Sequence, residues 1–287
     1  MKVLRRQISV GWLFIIPALF AFMFFKWYPI LRSLVMTFFS QNGFAAGPFC
    51  GFQNYQRAFS DQQFWLSWAV TLRMLGISLL ITFWPPILMA VFLNELRWLK
   101  VFFRISYFIP AILPSIVTTI LWKWIYNPDY GFLNTIFERI GIARQMFLND
   151  PQLVLVWLVM PGLIGVGYGS LVYLAGLEGI SSELYEAALI DGASIWAKIR
   201  YIQLPHLRPI IGIQFILALI GGFNQFMTPF IMTGGGPMEK SETIGLYMYH
   251  QAFTYWNMNY AVTISVLIFA VLLVLNFINL KLQSRGE

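Results

Sequence analysis

Residues 261–280 read AVTISVLIFAVLLVLNFINL, a stretch with no charged side chain. A helix of this length rises about 30 Å, which is the thickness of a bilayer's hydrocarbon core. Five comparable charge-free runs precede it: Arg6 to Lys26, Arg73 to Glu95, Arg104 to Lys123, Asp150 to Glu178 and Arg208 to Glu239. Lipid offers the backbone no hydrogen-bond partners, so runs of this kind cross as helices. The predicted spans are Val10–Phe25, Thr71–Phe92, Ser106–Tyr126, Leu153–Leu177, Ile210–Pro229 and Ala261–Leu280. The fold class is an all-α integral membrane protein of six transmembrane helices, with residues 1–287 forming one transmembrane domain. Composition agrees: 59% of residues are hydrophobic and 11% charged, against about 25% charged in soluble domains.

The net charge of +7 does not point to nucleic acid, because the cations flank apolar runs instead of covering one soluble face. They are densest in four short segments, at Lys2, Arg5 and Arg6; Arg97, Lys100 and Arg104; Lys198, Arg200 and Arg208; and Lys281 and Arg285. The positive-inside rule makes those segments cytoplasmic, with both termini inside. The first apolar run follows cations as a secretory signal would. It continues into Lys26-Trp27-Tyr28-Pro29 without a small-residue cleavage site, so it reads as a retained first helix. A lone Cys50 excludes an intrachain disulfide and any multi-cysteine metal site.

Enzyme and cofactor signatures are missing. No phosphate-binding GxxxxGK[ST] loop and no HExxH pair occurs, and no cofactor is expected. None of the predicted spans carries Asp, Glu or His, the groups with which ion-coupled transporters bind a proton or cation. A transporter built from such spans would take its energy from elsewhere, most simply from a partner protein. An ion-coupled secondary transporter of a small polar solute, with sodium held by backbone carbonyls, is the alternative.

The inner connection over residues 178–209 is the most informative polar segment. Ser181 or Ser182 can cap a helix with Glu183 in its first turn. Gly192 can end that helix in a left-handed conformation. A second amphipathic helix, with Ile195, Ile199 and Ile202 on one face, is expected to stop before Pro205. The pair makes a compact knob, and Ala187-Ala188 allows close approach to a partner groove. The alternative is an interfacial helix lying on lipid headgroups.

Glu186-Ala187-Ala188, Asp191-Gly192-Ala193 and Leu204-Pro205 resemble the EAA motif of permeases of ATP-binding-cassette importers. Gly51-Phe52-Gln53-Asn54-Tyr55, Asn127-Pro128 through Gly131 to Asn134, Ala175-Gly176-Leu177 and Thr233-Gly234-Gly235-Gly236-Pro237 resemble motifs of the carbohydrate-uptake (CUT1-type) family, the last favouring its MalF-like half. Cys50 and Gln53 stand where that family usually has Val and Asp. The resemblance implies a type I importer permease fold and a coupling role for Glu186, Ala187, Ala188, Asp191 and Gly192 against an ATPase. It implies as partners a second homologous permease subunit, two ATPase subunits, an extracytoplasmic solute-binding protein, a sugar substrate and membrane lipid.

For the substrate path, Pro161, Ile164, Gly165 and Tyr168 fall at i, i+3, i+4 and i+7 of the fourth span and share a face. Gly221, Gly222 and Gln225 share a face of the fifth, with Asn224 adjacent. Through the resemblance these positions correspond to a transmembrane sugar site. The other reading of a Gly-rich face is plain helix packing.

Overall fold

The computed structural model describes residues 15–42, 45–95 and 113–283. The start of the first predicted span, residues 10–14, and the first part of the third, residues 106–112, lie outside the described residues. Among the described residues five helices are long and apolar enough to cross a membrane, and Ser115–Ile125 is a shorter apolar helix. Together they account for the six predicted spans. The chain divides into two compact units.

The first unit comprises residues up to Phe64 together with Met248–Val274. Helix α1 spans Ile15–Met36 and runs on past Lys26 and Pro29. A π-helical turn over Met23–Trp27 precedes the proline, which then sits in the first turn of regular helix where its missing N–H costs little. A hairpin follows, β1 (Phe39–Asn42) antiparallel to β2 (Ala45–Phe49), with Phe39 opposite Phe49. A short helix, α2 (Gln53–Ser60), comes next. Its Asn54 amide donates to the carbonyls of Thr37 (2.8 Å) and Phe39 (3.0 Å). The Asn259 amide donates to Phe39 and Ser40 carbonyls, and the Tyr260 hydroxyl donates to Asp61 Oδ2 at 2.6 Å.

The second unit holds Trp65–Tyr247 and the chain from Leu275. Its second span starts earlier than the apolar run implied. Helix α3 occupies Gln62–Ile81 and α4 Trp84–Glu95, with the break at Thr82-Phe83. Pro85 and Pro86 lack backbone N–H groups, and a proline ring crowds the carbonyl four residues back, so the helix cannot pass through them unbroken. After the shorter apolar helix α5 (Ser115–Ile125) comes α6 (Phe132–Arg139). The fourth span is composite: α7 (Val154–Val159), a 3-10 stretch over Met160–Gly165 around Pro161 and Gly162, then α8 (Val166–Glu178).

The knob's first helix is α9 (Ser182–Ile190). The second helix does not stop before Pro205. It continues as α10 through Ile195–Phe223, with a π-helical stretch over Ile199–Gln203 shifting the bonding just before Pro205. The fifth span correspondingly ends at Phe223 instead of reaching Pro229. In a continued helix the Pro229 ring would crowd the Gln225 carbonyl; that carbonyl instead accepts the Thr243 hydroxyl at 2.6 Å. A short α11 (Met227–Met232) and α12 (Ile244–Tyr249) follow, and α13 (Met258–Gln283) contains the sixth predicted span.

One core of the second unit packs α4 against α8 and the middle of α10, through Ile87, Ala90, Leu93, Tyr173, Leu174, Leu177 and Leu207. Gly169 lets Pro86 approach, and Gly176 lets Ile210 approach: a Cβ at Gly176 would stand 2.4 Å from Ile210 Cδ1. Small residues at helix contacts are what close packing in lipid requires. A second core joins Val70 and Met74 of α3 to Tyr126, Phe147, Leu158 and Met232.

Candidate functional site

A cavity of about 830 Å³ opens in the second unit between α3, α5, the α7–α8 segment and the chain after α10. Its wall carries Ser78, Thr82, Ser115, Thr118, Thr119, Tyr168, Gln225 and Thr228 among apolar neighbours, and none of the lining residues is Asp, Glu, Lys, Arg or His. Several hydroxyls spend their proton on their own helix. Thr82 donates to the Ser78 carbonyl at 2.8 Å, Thr119 to Ser115 at 2.7 Å and Thr118 to Pro114 at 3.3 Å. Each such oxygen keeps lone pairs with which to accept a proton from a guest hydroxyl.

The structure brings Pro161, Ile164, Gly165, Tyr168 and Gln225 into this lining. The 3-10 stretch carries Pro161, Ile164 and Gly165, so their common direction does not come from the uniform α-helix assumed from spacing. Gln225 lies past the end of α10 and shares no helical face with Gly221 and Gly222. Gly222 is absent from the lining. It is buried against Leu75, and a Cβ there would stand 2.4 Å from Leu75 Cδ1, so the packing reading holds for it. Asn224 is also absent from the lining; it caps α10, its amide donating to the Ile220 carbonyl at 3.1 Å. Sequence reasoning passed over Ser78 with Thr82 and Ser115 with Thr118 and Thr119. Their spacings of four, and of three and four, are polar stripes inside charge-free runs and were available as a signal.

The knob is built as its glycine requires. Gly192 has φ +68°, with its N–H on the Leu189 carbonyl (3.1 Å) and the Ala193 N–H on the Ala188 carbonyl (2.8 Å). These two bonds are the paired closure of a Schellman motif. Ser194 then caps α10, its Oγ accepting from the Ala197 N–H at 3.3 Å. Ser181 stands at the cap position of α9 in an extended conformation without a side-chain bond. Glu186, Ala187, Asp191 and Gly192 are exposed and Ala188 half-buried. Apolar side chains beside them are bare: Ile190 is 87% exposed and Trp196 79%.

The last turn of α4 holds both knob helices. The Asn94 amide donates to the Tyr185 hydroxyl of α9 at 3.3 Å. Glu95 accepts from Lys198 Nζ at 2.9 Å and from Gln203 Nε2 at 2.7 Å, both on α10. Gln203 is fully buried and its Oε1 has no partner. At the opposite end α4 presents Pro86 to the cavity. One short helix therefore joins the cavity wall to the knob over about 13 Å.

Residues 86–285 match the family model described as "Binding-protein-dependent transport system inner membrane component". The chain is 32% identical to the lactose transport system permease protein LacF of Rhizobium radiobacter, the match covering 96% of this chain and 94% of that one. It is 31% identical to the trehalose/maltose transport system permease protein MalF of Thermococcus litoralis, covering 96% and 93%. Among solved structures, a chain from a bacterial ABC transporter involved in the import of the acidic polysaccharide alginate matches with a TM-score of 0.87 at 26% identity, over 98% of both chains. Apolar spans, EAA-like loop and whole-length relatives agree, and the chain belongs to the binding-protein-dependent transport system inner membrane component family.

Proposed function

We propose that this chain is the permease subunit of an ATP-driven sugar importer in a bacterial plasma membrane, forming half of the translocation pore. It works beside a second homologous permease, two ATPase subunits and an extracytoplasmic solute-binding protein, with both termini in the cytoplasm. The observation that carries the reading is the knob. Its apolar tip, Ile190 and Trp196, is bare, while its base is fastened to α4 through Asn94 and Glu95. An exposed apolar tip on a rigid base fits a groove on a partner protein. Glu186, Ala187, Ala188, Asp191 and Gly192 make that contact in this proposal, and α4 carries its movement to the cavity.

The cavity suits a neutral polyol. Hydroxyl and amide groups without ionised side chains form many weak bonds, each worth about 0.5–1.5 kcal/mol net, which favours transient binding over retention. Ile164, Gly165, Tyr168 and Gln225 form this chain's part of the path; Gly222 and Asn224 act there only through packing and capping. The sugar transport names of the relatives support the substrate class.

The test is purification of the chain from its native membrane, followed by reconstitution with its co-purifying proteins. An ATPase is expected to co-purify, and sugar uptake into proteoliposomes is expected to need ATP and a binding protein. Uptake driven by an ion gradient without ATP would overturn the proposal in favour of a secondary transporter.

A further inference from the structure

A second cavity lies on another face of α3 from the one that presents Met74, Ser78 and Thr82 to the polar cavity. It has a volume of about 390 Å³, and Arg73, Gly76, Ile77 and Leu80 form one wall, with Leu155 opposite and Lys240 at the rim. The four α3 residues fall at i, i+3, i+4 and i+7, so they make a continuous stripe down the helix. Gly76 leaves a trough in that stripe: a Cβ there would meet nothing within 4 Å. Leu80, at its deep end, is 75% exposed.

Depth and charge identify what the trough takes. Arg73 and Glu95 bound a charge-free run of α3 and α4. At 1.5 Å per residue that run is roughly 33 Å, so Arg73 lies at one boundary of the hydrocarbon and Glu95 at the other. Arg73 and Lys240 are exposed and have no ion-pair partner among the described residues. Asp150, next in sequence to the lining residue Pro151, accepts the Gln152 N–H at 2.8 Å, and none of the lining residues is an acid. Two cations at headgroup depth above an apolar trough call for a ligand with an anionic head and a hydrocarbon tail. An acidic peptide segment would satisfy the cations and leave the trough empty; a sugar acid would place hydroxyls on Ile77 and Leu80.

We propose that this trough binds one anionic phospholipid, its phosphate between Arg73 and Lys240 and an acyl chain along Gly76, Ile77 and Leu80. Each cation near a lipid surface is worth about 1 kcal/mol, or about fivefold in affinity, so removing both weakens binding roughly thirtyfold. The experiment titrates the intact, delipidated transporter complex with dioleoylphosphatidylglycerol or dioleoylphosphatidylcholine and counts bound lipid by native mass spectrometry. The native complex is expected to retain one phosphatidylglycerol that the Arg73→Gln/Lys240→Gln variant holds about thirtyfold more weakly. Phosphatidylcholine retention should be the same in both. Gly76→Phe fills the trough without touching either cation and is expected to lose the same lipid while the complex stays assembled. Inorganic phosphate, which has the anion without the tail, is expected to leave the lipid in place. The proposal is overturned by equal retention of the two lipids, by undiminished phosphatidylglycerol in the double variant, by displacement with phosphate alone, or by disassembly of the complex on Gly76→Phe, which would mean that a protein subunit covers this face.

Discussion

Tyr168 and Gln225 stand in the polar cavity, whereas Gly222 and Asn224 do not. That difference separates recognition from packing. Tyr168→Phe and Gln225→Leu each remove one neutral hydrogen-bonding group, which at about 0.5–1.5 kcal/mol corresponds to at most roughly a tenfold change in affinity. Each is expected to raise the half-saturation level for sugar in a variant driven without the binding protein, with complex stability retained; an unchanged half-saturation level removes both residues from the path. Gly222→Ala is expected to do the reverse. Its Cβ meets Leu75 Cδ1 at 2.4 Å, and overpacking of this kind costs about 1–3 kcal/mol. Thermal stability should fall with sugar dependence unchanged, and Leu75→Ala should restore much of the loss. The spacing of Gly221, Gly222 and Gln225 could not expose this distinction, because it presumes a helix that runs through position 225.

At the scale of elements, the knob depends on a turn and on a clamp. Gly192 at φ +68° occupies a conformation that costs an L-residue about 1–2 kcal/mol. Gly192→Val is expected to leave the membrane helices folded while ATP hydrolysis continues without matching uptake; normal ATP-driven uptake would remove the role given to the turn. Glu95 and Lys198 have side chains 24% and 15% exposed. Their pairing should contribute about 1–2 kcal/mol, between the values for surface and fully buried pairs. A double-mutant cycle of Glu95→Gln and Lys198→Met, read as the ratio of sugar moved to ATP hydrolysed, is expected to show coupling between the two positions. Additive effects would mean that the clamp transmits nothing. The turn was legible because glycine after a helical stretch has a known use. The clamp was not, since Glu95 and Lys198 are far apart in sequence and meet only once α4 has packed against α8 and α10.

For the whole molecule, the orientation proposed from cation density puts the α9–α10 connection and the residues 127–151 connection on opposite sides of the membrane. Ile190 and Tyr130, 87% and 63% exposed, mark the two sides. In a Cys50→Ser background, a membrane-impermeant maleimide is expected to label Tyr130→Cys on intact cells and Ile190→Cys only in inverted vesicles. Adding the ATPase should protect Ile190→Cys. Labelling with the sides exchanged would reverse the orientation.

Charge spacing and apolar length alone determined that the chain crosses a membrane as helices, because a charge or an unpaired backbone group in hydrocarbon costs more than any tertiary contact returns. The same linear information marked the Gly192 turn and the motif-bearing loops. Where the helices break or continue was decided by tertiary structure. Pro85 and Pro86 split the second span, Pro161 and Gly162 sit in a 3-10 stretch, and Pro205 is passed by a π-helical turn. A proline removes the same backbone donor in each case. Whether the chain then bends, tightens or bulges depends on which neighbours can satisfy the freed carbonyls and fill the space beside them, and those neighbours come from remote parts of the sequence.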